Sequence, residues 1–129
     1  MSSIFSKIIN GDIPSHQIAE DENCYAFLDI NPLAKGHTLA VPKKEVDYIF
    51  DLDETTLSQL MTFSKKVAQK IESVIPCARI GISVVGLEVP HAHVHLIPIN
   101  NVSDMNFERP KLDMDEQTMI DVAKAIREA

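Results

Sequence analysis

The chain has 129 residues, 45% of them hydrophobic, which suits one domain with an ordinary buried core. Lysine and arginine total 12 against 19 acidic residues, and the net charge of -7 repels a polyanion; the longest basic runs are the pairs Lys43-Lys44 and Lys65-Lys66, so a nucleic-acid partner is not expected. A small phosphate-bearing ligand stays open, because a few fixed donors bind one phosphate whatever the overall charge.

At the N-terminus, MSSIFSKIINGDIP carries neither a basic segment followed by an apolar core nor a small-residue cleavage site. No stretch approaches a membrane span, so no membrane partner is expected. Cys24 and Cys77 lack any CxxC partner, which fits a reducing compartment, and the expected location is the cytoplasm.

Residues 4 to 9 read as a short helix ended by Asn10-Gly11. Ser15 to Glu20 reads as a strand, Asp21-Glu22-Asn23 as the following turn, and CYAFLDI as a second strand broken by Asn31-Pro32. HTLAVP, His37 to Pro42, is the third. Leu57, Leu60, Met61, Ser64, Val67, Ala68, Ile71 and Ile75 share one face of a long helix, which Asp51 or Asp53 caps and Pro76 stops. Two more strands are expected, ARIGISVV over 78 to 85 and HAHVHLIPI over His91 to Ile99. A closing helix from about Asp115 buries Met119, Val122, Ala123 and Ile126. This order predicts an α+β fold with a largely antiparallel central sheet.

The segment His91-Ala92-His93-Val94-His95-Leu96-Ile97-Pro98 carries the chemistry. Strand alternation places the three imidazoles on one face and Ala92, Val94 and Leu96 on the other. Neighbouring histidines then lie about 6.6 Å apart at the backbone and the outer two about 13 Å. Drawing all three onto one metal ion would need strong bending, and a full site would need ligands from elsewhere. Imidazole is neutral near pH 7, is nucleophilic through one ring nitrogen, and has its tautomer fixed by a hydrogen bond at the other. His93, flanked on both sides, is the natural nucleophile. His91 and His95 are placed to orient it, donate to phosphate oxygens or carry a proton to the leaving group. Metal binding by part of the row remains the alternative in this reading.

HAHVHLIP, together with FSKIINGDIPSH and AFLDINPLAKGHTLAVPKKE in the same order and separation, resembles the histidine triad (HIT) family over residues 3 to 99. The resemblance implies an HIT-like fold over 1-129: a central antiparallel sheet of about five strands, one long helix and a C-terminal helix. It also implies a homodimer with joined sheets and chemistry on the α-phosphate of purine nucleotides, through a covalent nucleotidyl-histidine and without cofactor or metal. His93 matches the attacking histidine, and His91, His95 and His37 of GHTL match the rest of the family's histidines. The same carry-over sets Asp29 on the ribose hydroxyls and Phe5, Ile8, Phe27 and Ile30 around the base. By itself, Asp29 reads equally as a cap on the Asn31-Pro32 turn.

The chain departs from many relatives before the triad. Leu87 and Glu88 stand where Gln and Ser or Thr contact the phosphate and the leaving group. A carboxylate there either turns inward, as a repulsive group or a proton shuttle, or faces solvent while backbone amides serve the site. Some relatives hold a structural zinc with a CxxC, a later histidine and the first triad histidine; here Ser3, Ser6 and Glu45 occupy the first three positions, and tight zinc binding is not expected. The lost phosphate-side donors also keep a second function in view, a nucleotide-binding module with little or no catalytic activity.

Overall fold

The structure is a computed structural model that describes residues 2-129. The first three apolar runs form a meander: β1 (Gln17–Glu20), β2 (Cys24–Leu28) and β3 (Thr38–Pro42). Asp21 makes the first turn, its Oδ1 accepting the amide hydrogens of Asn23 and Cys24 at 2.8 and 2.7 Å. A 21-residue helix then intervenes before β4 (Arg79–Ser83) and β5 (Val94–Ile99). β5 inserts between β3 and β4, giving the order β1-β2-β3-β5-β4 with every neighbouring pair antiparallel. The expected α+β class and five-stranded antiparallel sheet are therefore present.

The short helix α1 covers Ile4–Ile9, α2 covers Glu54–Val74 and α3 covers Glu116–Arg127. Of the two candidate caps, Asp53 begins α2, accepting from the Thr56 amide at 2.7 Å, while Asp51 closes a 3₁₀ turn over Ile49–Asp51. Ile75 is already extended at ψ 114, as the residue before Pro76 must be. Asp115 caps α3 in the same way, and Met119, Val122, Ala123 and Ile126 are all buried.

Several boundaries differ from the sequence pattern, each for a backbone reason. β2 ends at Leu28 because Asp29 Oδ1 takes the Asn31 amide at 2.8 Å and starts the turn. β1 starts at Gln17 rather than Ser15, and Val84 and Val85 lie beyond β4. β5 starts at Val94, not His91: the His91 and Ala92 amides leave the ladder for the carbonyls of Val89 and Val46, at 2.8 and 2.7 Å. Gly36, at φ +91, turns the chain into β3 under Ile75, where a Cβ would lie 3.0 Å from Ile75 Cγ1.

The central strands are buried on both faces, which is why β2 and β3 read as near-continuous apolar runs. On one face, Ala26, Leu28, Ala40, Val94 and Leu96 pack with Leu60, Phe63, Val67 and Ile71 of α2 and the buried stripe of α3. Phe63 belongs to this core although the periodic pattern passed over it, and Met61, assigned to the buried stripe, is exposed. On the other face Phe5 and Ile8 of α1 meet Tyr25, Phe27, Leu39 and Val41.

Ile71 is fully buried in the first cluster and Gln69 is exposed on the same helix. Urea unfolding of Ile71→Ala is expected to show a loss of about 2-5 kcal/mol, and Gln69→Ala a change within about 0.5 kcal/mol. Equal losses would contradict this packing of α2.

Candidate active site

His91, Ala92 and His93 prolong β5 backwards without its ladder bonds, yet alternation persists. Ala92, Val94 and Leu96 enter the helix-side core, while the rings of His91 and His93 meet Phe5, with centroids 5.9 and 5.0 Å away. The His93 and His95 rings lie 5.1 Å apart. Leu39, paired with His95 across β3 and β5, and Phe27, paired with Leu39, continue this face.

Hydrogen-bond partners fix the tautomer of each ring. His91 Nε2 lies 2.7 Å from the Pro42 carbonyl, which only accepts, so Nε2 donates and Nδ1 keeps its lone pair. That lone pair accepts from the Ser3 hydroxyl at 2.7 Å. His93 Nδ1 donates to the carbonyl of His91 at 2.7 Å, which leaves the His93 Nε2 lone pair free. His37 Nδ1 accepts the Leu33 amide at 3.0 Å, so its proton sits on Nε2 and is given to His95 Nδ1 at 2.9 Å. His95 is thereby left with an N–H at Nε2. The two rings that reach the cavity thus carry opposite functions, a lone pair on His93 and a donor on His95.

Burial keeps the flanking rings neutral. Desolvation pushes His37 down to about 3 and His95 down to about 4, with the neighbouring histidine acting in the same direction, and burial also lowers His91. Asp29 moves the other way, raised chiefly by burial and opposed by the Asn31 amide. Its Oδ2 lies 3.5 Å from His37 Nε2, a contact to a neutral imidazole rather than an ion pair.

A cavity of about 250 Å³ opens beside the row, lined by Phe5, Ile8, Phe27, Asp29, Ile30, Glu88, His93 and His95 among others. The residues expected around base and ribose, together with Glu88, thus share one cavity with two of the histidines. Ile30 is 73% exposed and sits at its rim, and Glu88 is exposed as well. His91 and His37 do not line it: both are fully buried and both ring nitrogens of each are engaged, so their geometry allows orienting the other two rings and not direct donation to a ligand. Asp29 performs the turn-capping role through Oδ1, and a ligand can meet only what remains of its carboxylate.

The sequence pattern missed Leu39, Val89, Ile13, Pro14 and Ser15, which also line the cavity. It also missed Phe107, whose ring packs edge-on against His95 at 4.7 Å. The alternation of the apolar β3 run could have shown Leu39; nothing local marks Phe107.

Metal binding fits this site poorly. Asp29, His37 and His95 each offer a ligand atom within 4.8 Å of the others. The His37 and His95 nitrogens, however, are 2.9 Å apart and share a proton, closer than the ~3.3 Å between nitrogen ligands on a tetrahedral zinc. With Leu33 on Nδ1, His37 would have to become an imidazolate to bind metal. At the other end of the row, Ser3 and Ser6 offer hydroxyls instead of thiolates, and the His91 lone pair is already taken by Ser3.

An α+β fold thus presents, beside an apolar cavity, one imidazole whose Nε2 has no partner, His93, and one whose remaining N–H is free, His95. The HIT domain model matches residues 10-102, and the chain belongs to the histidine triad (HIT) family. It is 44% identical over 102 residues to an uncharacterized HIT-like protein of Methanocaldococcus jannaschii, covering 74% of this chain and 77% of the relative. It is 37% identical over 103 residues to the adenosine 5'-monophosphoramidase hnt1 of Schizosaccharomyces pombe, covering 78% and 77%. Among solved structures, a Hit-like protein from Bartonella henselae superposes with a TM-score of 0.84 at 30% identity, over 98% of this chain and 95% of that one.

The depressed histidines predict a sign for pH dependence. Unfolded imidazoles near 6.5 take protons that the native rings refuse, so stability is complete above about pH 7.5 and falls as pH drops toward the folded values. Asp29, with a raised value, contributes in the opposite sense. Unfolding free energies from urea titrations between pH 7.5 and 5 should decline by on the order of 1 kcal/mol per pH unit for each ring that stays neutral. A flat profile would mean that the rings charge freely in the native state.

Proposed function

We propose that the protein is a nucleotidyl hydrolase or transferase in which His93 attacks the α-phosphorus of a purine nucleotide conjugate. The observation that carries this reading is the bond from His93 Nδ1 to the His91 carbonyl, which leaves a single lone pair, on Nε2, in a ring that lines the cavity. Attack forms an Nε2–P bond, and the bond from phosphorus to the leaving group breaks with its electron pair. The leaving atom takes a proton from water at the open mouth. The intermediate is a phosphoimidazolium whose positive Nδ1–H points at a carbonyl, the partner that stabilises it most directly. Water or another acceptor then displaces the histidine and regenerates the neutral ring.

His95 supplies its remaining N–H to a phosphoryl oxygen, and His37 and His91 hold the two working rings in their tautomers. Phe5, Ile8, Phe27 and Ile30 enclose the base, and Asp29 meets the ribose. The S. pombe relative named as an adenosine 5'-monophosphoramidase makes a P–N bond the first substrate to try. Glu88 at the cavity edge favours the same class, because a carboxylate attracts an amine leaving group and repels an anionic one.

A homodimer, a cytoplasmic location and one domain over 1-129 belong to the same proposal. β4 is an edge strand, and Ile80 and Ile82 on it line a groove with Met61 and Ala68 of α2. Ile82 is 52% exposed, an apolar edge of the kind that a second copy covers. No helix among the described residues is long and apolar enough to cross a membrane. The second reading, a binding module with little turnover, is favoured by one feature: Leu87, where relatives carry a polar contact, is 87% exposed and its side chain offers no donor.

Intact-mass spectrometry of protein quenched after mixing with an adenosine phosphoramidate is expected to show a transient gain of one AMP moiety in the wild type and none in His93→Ala. Turnover in His93→Ala should fall by at least about 1,000-fold; undiminished turnover would remove His93 as nucleophile. Nucleotide binding without adduct or turnover would select the binding module. Sedimentation velocity should give a dimer that Ile82→Lys converts to monomer, and a monomeric wild type would exclude the edge pairing.

A further inference from the structure

The first turn of α1 is tied to the start of the histidine row through groups that the proposed chemistry does not use. Ser3 N–H and the Ser6 hydroxyl both donate to Glu45 Oε1 at 2.6 Å. Ser3 Oγ accepts the Ser6 amide at 3.0 Å, as a helix cap does, and donates its own hydrogen to His91 Nδ1 at 2.7 Å. The direction of that last bond is forced, since His91 Nε2 must donate to the Pro42 carbonyl. Glu45 lies three residues beyond the end of β3, and the next residue, Val46, accepts the Ala92 amide at 2.7 Å. The helix, the segment after β3 and the histidine row thus meet at one point.

We propose that Ser3 is a positioning residue for the histidine row: its hydroxyl holds His91 in the neutral, Nε2-protonated state, and Glu45 anchors Ser3 there. The proposal rests on His93 being the nucleophile. Helix capping alone explains only half of what Ser3 does, because a cap requires an acceptor and nothing more. The donated hydrogen serves His91, which is 0% exposed and has no water to turn to. Without that hydrogen, Nδ1 has near it only the Ser6 hydroxyl, at 3.5 Å and already donating to Glu45, which favours rotation of the ring or uptake of a proton. Either change acts on the residue whose carbonyl aims His93. The same latch fixes Phe5, whose ring touches both His91 and His93 and lines the cavity, so nucleophile and base wall share one anchor.

The test separates capping from positioning. Ser3→Asp keeps an acceptor for the Ser6 amide but brings no hydrogen to His91 at neutral pH. Full-length wild type, Ser3→Asp, Ser3→Ala, Ser3→Thr and Glu45→Ala are compared by ¹⁵N NMR of labelled histidines and by turnover of an adenosine phosphoramidate. In Ser3→Asp, His91 is expected to change from the Nε2–H tautomer to imidazolium, with kcat falling about 10-fold or more and KM changing less than about 3-fold. Ser3→Thr should restore both tautomer and rate. Glu45→Ala should act in the same direction, and its effect should largely vanish when added to Ser3→Ala. Wild-type kcat and an unchanged His91 tautomer in Ser3→Asp and Ser3→Ala, with only thermal stability altered, would reduce Ser3 to a helix cap and overturn the proposal. A wild type without turnover would sink the nucleophile reading instead, and the His91 tautomer in Ser3→Asp would still decide whether Ser3 sets the state of that ring.

Discussion

A buried neutral imidazole has one hydrogen to give and one lone pair to fill, and four imidazoles share the same side of the sheet. Pro42 and Ser3 satisfy His91; Leu33 and His95 satisfy His37. With a fifth bond, from His93 Nδ1 to the His91 carbonyl, nothing is left to choose: the row presents a lone pair at His93 and an N–H at His95. The site's polarity is thus decided by carbonyls and amides outside it. Backbone groups make good partners for this purpose because a carbonyl never donates and an amide nitrogen never accepts.

The sheet order serves the same end. Placing β5 beside β3 brings the row against the end of β3, where Pro42 and the segment through Glu45 and Val46 can reach it. The helix-side core holds β5 flat through Val94 and Leu96 and frees the opposite face for polar rings. α1 covers only part of that face, and the uncovered remainder is the cavity.

Periodicity revealed most of this. The helix stripes, the strand runs and the HAHVH alternation are local patterns, and each element appeared within a few residues of where they placed it. Phe63 escaped because the stripe was drawn through Met61, its neighbour by two, and a wide buried face admits residues on either side of an ideal line. Asp29 looked out of place in an apolar run, and the turn it caps accounts for that. What sequence could not show was pairing at a distance. Ser3 and Glu45 read as missing zinc ligands, yet in three dimensions they are hydrogen-bond partners of each other and of the row. Phe107 lies beyond the HIT-matched stretch and reaches His95 only through the path of the chain after β5.

The bond between Ser3 and His91 spans 88 positions of sequence. A six-residue helix is far too short to persist alone in water. It therefore depends on partners both nearer in sequence, from Tyr25 to Glu45, and far away, at His91. The wall that carries Phe5 and Ile8 is held by tertiary contacts alone, and whatever loosens them loosens the cavity with it.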